Sequence, residues 1–277
     1  MRYVSYEHDG MRRVGVLEAT RVAPLVGIQS ITSSIGTDEL AAATLDRSHA
    51  VELEEVTLLP ASPEPRRIVC VGLNYHAHVA ETRRDVPEYP VLFTKWASNL
   101  IGSTDPIQLP AESTQPDFEG ELAVIIGRRG RRIAAADAMK HVLGFSVAND
   151  VTMRDFQYKT HQWLQGKAWD NSTPLGPAIV TPDEVDLTTA KIKTTLNGEL
   201  MQDAAIGDLM FDIPRLIEEI SLFTELEPGD VILTGTPGGV GFRRDPQIFL
   251  HPGDLVAVEI DEVGRIENRV NQDVLAT

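Results

Sequence analysis

Asp117-Phe118-Glu119-Gly120-Glu121-Leu122-Ala123-Val124-Ile125-Ile126-Gly127 is the stretch on which the rest of the chain hangs. After Glu121 it is apolar and β-branched, the composition of a buried strand. Glu119 and Glu121 are two residues apart, so in extended backbone they point to one face. Neighbouring carboxylates repel unless a proton or a cation lies between them. A hard divalent ion meets that need. The other reading is a solvated strand entrance carrying two surface glutamates.

On either side the punctuation is dense and the expected strands are short. They fall at Arg67–Val71, Pro90–Phe93, Glu121–Ile126, Val142–Ala148, Ala178–Thr181, Lys191–Leu196, Val231–Thr234 and Leu255–Ile260. Helices are fewer, near His76–Thr82, Ala134–Lys140 and Ile213–Ser221. Regular βαβ alternation is absent. The pattern predicts a β-rich α/β fold, a mixed roll or barrel-like body. Two Pro-Gly-Asp turns, at 228–230 and 252–254, each lead into a strand.

The first residues read differently. Tyr3–Tyr6 and Val14–Leu17 flank Asp9-Gly10, a hairpin signal, and a short helix follows near Asp38–Leu45 with Thr37 or Asp38 as N-cap. Leu59-Pro60-Ala61-Ser62-Pro63-Glu64-Pro65 is a stiff connector. It divides a small N-terminal α+β domain, 1–62, from a larger domain, 63–277.

Composition narrows the function. Of 277 residues, 25 are Lys or Arg and 41 are Asp or Glu, a formal net charge of −16. Such a chain repels nucleic-acid backbones and anionic membrane surfaces. No stretch approaches 18 apolar residues, and the N-terminus has no apolar signal core. Cys70 is the only cysteine. It lies in an apolar run that suits a buried packing residue, and a cytoplasmic setting is expected.

Four more segments carry possible chemistry. In Val147–Asp155 an apolar strand ends in Asn149-Asp150, and Asp150 is either an N-cap or a third oxygen ligand beside Glu119 and Glu121. Arg154 is expected one helical turn later and Gln157 on the same face. His78 and Glu81 are spaced i, i+3, so the carboxylate is placed either to orient a general base or to form an incidental surface pair. Lys167, in Gln165-Gly166-Lys167, either neutralises an anionic substrate or is a surface lysine. Leu233–Gly241 is glycine-rich after a strand; its N–H groups either hold an oxyanion or form a structural turn. The P-loop, HExxH, CxxC and GxSxG motifs are absent.

In this order, VGLNYHAHVAE, DFEGELAVIIG, GFSVANDVTMRDFQ, QGKAWDNSTPLGP, LNGELMQ and LEPGDVILTGTPGGVG resemble the fumarylacetoacetate hydrolase family, in its short-chain bacterial-type form. The resemblance spans about residues 67–270. It implies metal ligands at Glu119, Glu121 and Asp150, for Mg²⁺, Mn²⁺ or Ca²⁺. It implies a His78–Glu81 dyad on a lid helix and an active-site Lys167. It also implies a carboxylate-binding loop at Gly235 and Thr236, and Arg154 and Gln157 lining the site. The implied activity is hydrolytic C–C cleavage of an acylpyruvate-like or fumarylacetoacetate-like acid through a metal-stabilised enolate. The same enolate serves a decarboxylase or a 2-hydroxyhepta-2,4-diene-1,7-dioate isomerase, and a non-catalytic metal- or ligand-binding relative is a further alternative. The expected partners are a small anionic 2-oxo or diketo acid and a second copy of the chain in a homodimer.

Overall fold

The computed structural model describes all residues except 33, 78–80, 82–86 and 274–277. The fold is mixed α/β and rich in strands. Its largest sheet runs in the order Val51–Glu52, Arg21–Pro24, Met11–Glu18, Arg2–His8, Thr173–Val180, Val142–Asn149, Gly120–Ile126, Val231–Leu233, Ile68–Gly72 and Val91–Lys95. A second sheet runs Glu199–Ala205, Lys191–Leu196, Leu255–Ile260, Gly264–Gln272 and Ile107–Leu109. Among the described residues neither sheet closes into a barrel.

Gly120–Ile126 is buried at every position, as is its antiparallel neighbour Val142–Asn149. Both faces of this pair are covered, which is why its sequence is continuously apolar rather than alternating. Leu122, Val124 and Ile126 face one core with Val147, Ile192 and Ile217. Ala123 and Ile125 face another, with Cys70, Leu143 and Leu233. Cys70 is fully buried, as its apolar surroundings in the sequence suggest.

The N-terminal hairpin forms with the expected turn. His8 pairs with Met11, and Asp9 and Gly10 both take positive φ, 52° and 69°. That pair of left-handed residues matches the right-handed twist of the flanking strands. Tyr3 pairs with Ile179, so the hairpin extends the main sheet. The following helix, Thr37–Ala42, is capped by Gly36 rather than by Thr37 or Asp38, and Glu39 returns to accept from the Gly36 N–H at 2.9 Å.

The helix Ile213–Phe223 lies within a residue or two of its expected place. Asp212 caps it by accepting from the Arg215 N–H at 2.9 Å, and Ile213, Leu216, Ile217 and Ile220 form its buried stripe. The segment Ala135–His141 is a 3-10 helix rather than an α-helix. Its start is tied sideways to that longer helix, with the Ala135 N–H donating to Glu218 at 3.2 Å. Each Pro-Gly-Asp turn closes the same way: Asp230 accepts from the Glu227 N–H, and Asp254 from the His251 N–H.

Candidate metal centre and substrate pocket

The strand Gly120–Ile126 begins one residue after Glu119, and Val142–Asn149 ends one residue before Asp150. Gly120 pairs with Asn149, which brings the two ends together. The Glu119 N–H donates to Asn149 Oδ1 at 2.9 Å, and the Asp150 N–H donates to the Glu119 carbonyl at 2.8 Å. Sheet register therefore sets three carboxylates around one point. One oxygen each from Glu119, Glu121 and Asp150 lies within 4.8 Å of the others, and all three residues are buried.

Cations surround this centre. Lys167 Nζ lies 2.8 Å from Glu119 Oε2 and 2.6 Å from Asp150 Oδ2. Arg154 reaches Glu119 Oε1 and Asp117 Oδ2, each at 2.7 Å, and donates to Gln157 Oε1 at 3.0 Å. Lys95 Nζ lies 2.8 Å from Asp150 Oδ1 and donates to Thr173 Oγ1 at 2.8 Å and to the Lys167 carbonyl. Four buried carboxylates, Asp117, Glu119, Glu121 and Asp150, thus face three buried cations. With all of them ionised, one negative charge is in surplus, a balance that a divalent cation reverses.

The pKa shifts follow from this packing. Burial, then the charges of Asp150 and Glu119, push the Glu121 carboxyl well above the usual carboxylate range. Burial alone would lower the Lys167 pKa, but Asp150 and Glu119 outweigh it and hold the ammonium charged. Arg154 is likewise held charged by Asp117 and Glu119 against its own desolvation. Three hard carboxylate oxygens gathered around one point are the donor set of Mg²⁺, Mn²⁺ or Ca²⁺, and the residues present fit such an ion.

Asp150 is not an N-cap. The helix begins only at Arg154, because Thr152 and Met153 first pair with Asp117 and Pro116. That bridge, rather than a helical turn, carries Arg154 back to the carboxylates. Lys167 is buried, not on the surface.

The glycine-rich loop donates its amides to carboxylates of the protein itself. The Gly235 N–H donates to Glu121 at 2.8 Å, Gly239 to Glu81 at 2.7 Å and Gly241 to Asp117 at 2.9 Å. Gly235 and Gly239 need positive φ, 103° and 99°, and a Cβ on Gly239 would lie 2.3 Å from the Met201 carbonyl oxygen. Thr236 Oγ1 accepts from Gln202 Nε2 at 2.8 Å, while Gln202 Oε1 accepts from the Gly120 N–H at 3.0 Å. Gln202 therefore ties the loop to the strand that carries Glu121.

Glu119, Arg154, Gln157, Lys167 and Thr236 line one pocket with Phe93, Tyr158, Trp163 and Phe242. Glu81 is exposed and meets the loop at Gly239. His78 lies outside the described residues, and with it the geometry of the expected dyad. Sequence reasoning missed Lys95, Asp117 and Gln202. Asp117 continues the alternation of Glu119 and Glu121 and was open to the same argument. Lys95 ends an otherwise ordinary strand and gives no such signal.

The fold and the centre define a strand-rich α/β protein with a buried carboxylate triad suited to a divalent cation. Residues 67–271 match the model of the family described as fumarylacetoacetate (FAA) hydrolase C-terminal, and the chain belongs to that family. It is 50% identical over 219 residues to the mitochondrial oxaloacetate tautomerase FAHD2B of Bos taurus, covering 78% of this chain and 70% of that one. Its structure is similar to a fumarylacetoacetate hydrolase from the psychrophile Exiguobacterium antarcticum, with TM-score 0.87, 37% identity and coverage of 99% and 100% of the two chains. It is also similar to a 5-carboxymethyl-2-hydroxymuconate delta-isomerase from Mycobacterium smegmatis, with TM-score 0.84, 34% identity and the same coverage.

Proposed function

We propose that this chain is a divalent-metal-dependent enzyme that interconverts the enol and keto forms of a 2-oxo acid of the oxaloacetate type. The observation that carries the reading is the buried triad Glu119, Glu121 and Asp150 beside Lys167, with Glu119 and Lys167 lining a pocket. The 50% identity to an oxaloacetate tautomerase moves the preference from C–C hydrolysis to tautomerisation.

Glu119, Glu121 and Asp150 would hold the divalent ion, which would supply positive charge toward the developing negative charge of a 2-oxo acid. Lys167, charged and buried, adds a second positive centre and keeps Glu119 and Asp150 oriented. Arg154 fixes Glu119 from the other side and holds Gln157 against the pocket. Trp163 packs on Gly72, where a Cβ would come within 2.2 Å of the indole, and the two form part of the pocket wall. Glu81 is the carboxylate at the loop, and the His78–Glu81 pair is assigned the transfer of the proton between oxygen and carbon.

A second reading is hydrolytic C–C cleavage, with the same pair activating a water. The bond from Gly239 to Glu81 supports it, because it fixes a carboxylate on the glycine-rich loop beside Val240, which lines the pocket. Decarboxylation would use the same enolate without that water. The further assignments are a homodimer, a cytoplasmic setting and a division of the chain at residues 62 and 63.

Incubating the Mg²⁺-loaded protein with oxaloacetate enol, fumarylpyruvate, an acylpyruvate and 2-hydroxyhepta-2,4-dienedioate, followed by product analysis, tests the reading. Ketonisation of oxaloacetate without loss of carbon is expected. Release of pyruvate from an acylpyruvate at a higher kcat/KM would favour the hydrolase instead.

A further inference from the structure

We propose that Arg243, with Tyr158, binds the second carboxylate of the substrate and so selects dicarboxylic 2-oxo acids over monocarboxylic ones. The inference rests on the function proposed above and narrows its substrate class.

The cations of the pocket differ in what they are bound to. Lys167 is engaged by Glu119 and Asp150, and Arg154 by Asp117 and Glu119. Arg244, next in the chain, donates to the main-chain carbonyls of Gly239 and Met201, at 3.1 and 2.6 Å. Arg243 lines the pocket, is exposed, and has no carboxylate partner among the described residues. Its Nη2 donates to the Tyr158 hydroxyl at 3.4 Å, and its guanidinium sits 5.0 Å from the centre of the Phe242 ring.

That setting prepares it for an anion. Tyr158 and Phe242 are stacked, with ring centres 5.4 Å apart, so the guanidinium is held against an aromatic shelf. An arginine stacked in this way keeps its planar fork of donors free for a carboxylate. The main chain holds the shelf in register with the acidic centre. Asp117, which pairs with Arg154, accepts from the N–H groups of Gly241 and Phe242 at 2.9 and 3.0 Å. The buried Glu119 and Lys167 side of the lining suits the 2-oxo carboxylate, and Arg243 is an exposed cation of the same lining. In a chain of net charge −16, a dianion needs a local positive site to dock.

Calorimetry on Mg²⁺-loaded wild type and Arg243→Met, with 2-oxoglutarate and 2-oxobutyrate as probes, tests this without turnover. For wild type, the dicarboxylate should bind about 10-fold or more tightly than the monocarboxylate, as a charge-assisted hydrogen bond provides. Arg243→Met should remove that margin and leave 2-oxobutyrate unchanged, and Arg243→Lys should restore part of it. Equal affinity of wild type for both acids, binding of neither, or a margin that survives Arg243→Met would overturn the proposal. If the margin is present and depends on Arg243 but oxaloacetate enol is not ketonised, the specificity assignment stands and only the tautomerase reading fails.

Discussion

Lys95 Nζ lies 2.8 Å from Asp150 Oδ1, and neither side chain reaches solvent. Lys95 stands at the end of the strand Val91–Lys95, at the edge of the main sheet, and Asp150 follows the central strand Val142–Asn149. The ammonium also bonds the Lys167 and Val151 carbonyls and Thr173 Oγ1. One buried cation thus holds a metal-ligand candidate, the backbone of the site lysine and a third strand in fixed relation.

Lys95→Met keeps an unbranched side chain one atom shorter and removes the charge. Breaking a buried pair by deleting one partner costs about 3–5 kcal/mol, so urea unfolding should show a loss of that order with an unchanged slope. A loss below about 1 kcal/mol, the value of an exposed pair, would mean that Asp150 needs no such anchor.

Mg²⁺ should stabilise the fold. Ligand at 100 times its Kd adds about 2.7 kcal/mol, equivalent to several degrees in Tm for a chain of this size. Glu119→Gln retains shape but loses a charged ligand oxygen, and its Tm should respond little to Mg²⁺. An equal response by both proteins would remove Glu119 from the ligand set.

The same binding should depend on pH. Burial and the neighbouring Asp150 and Glu119 raise the Glu121 carboxyl well above its ordinary value, so the free protein retains a proton there that a metal must displace. Raising the pH removes that proton in advance. Mg²⁺ affinity should therefore increase with pH above the ordinary carboxylate range, and calorimetry in buffers of different ionisation enthalpy should detect proton release. Affinity independent of pH would contradict a raised Glu121 carboxyl.

Burial also raises the Cys70 thiol well above its ordinary value, and Asp150 adds to the effect. The folded protein should resist iodoacetamide at pH 8 and be alkylated once unfolded in urea. Alkylation at the same rate in both states would mean that the strand Ile68–Gly72 opens readily.

How much of this was legible in the sequence depends on the kind of signal. Glu119, Glu121 and Asp150 were legible because alternation along a strand and a carboxylate at a strand end are local patterns. The hairpin was legible from Asp9-Gly10, and the helix Ile213–Phe223 from its apolar stripe. The strand Gly264–Gln272 was overlooked because Arg265, Glu267 and Arg269 alternate with Ile266, Asn268 and Val270, and the charges disguise its buried face. Lys95 and Gln202 act through partners more than 30 residues away, 55 residues in the case of Lys95 and Asp150 by their numbering, so only the fold reveals them. The choice between hydrolysis and tautomerisation is not legible in the sequence, because a His78–Glu81 pair serves proton transfer with or without water.

The central claim is that the triad acts as a metal-dependent centre for an enolate. Its most direct test is the rate of oxaloacetate enol ketonisation by wild type and Asp150→Asn, each with Mg²⁺ and with excess chelator. Wild type with Mg²⁺ should exceed the other three conditions by about 100-fold or more, the scale of losing one preorganised electrostatic element. A wild-type rate that survives the chelator, or an Asp150→Asn rate equal to it in Mg²⁺, would contradict the account.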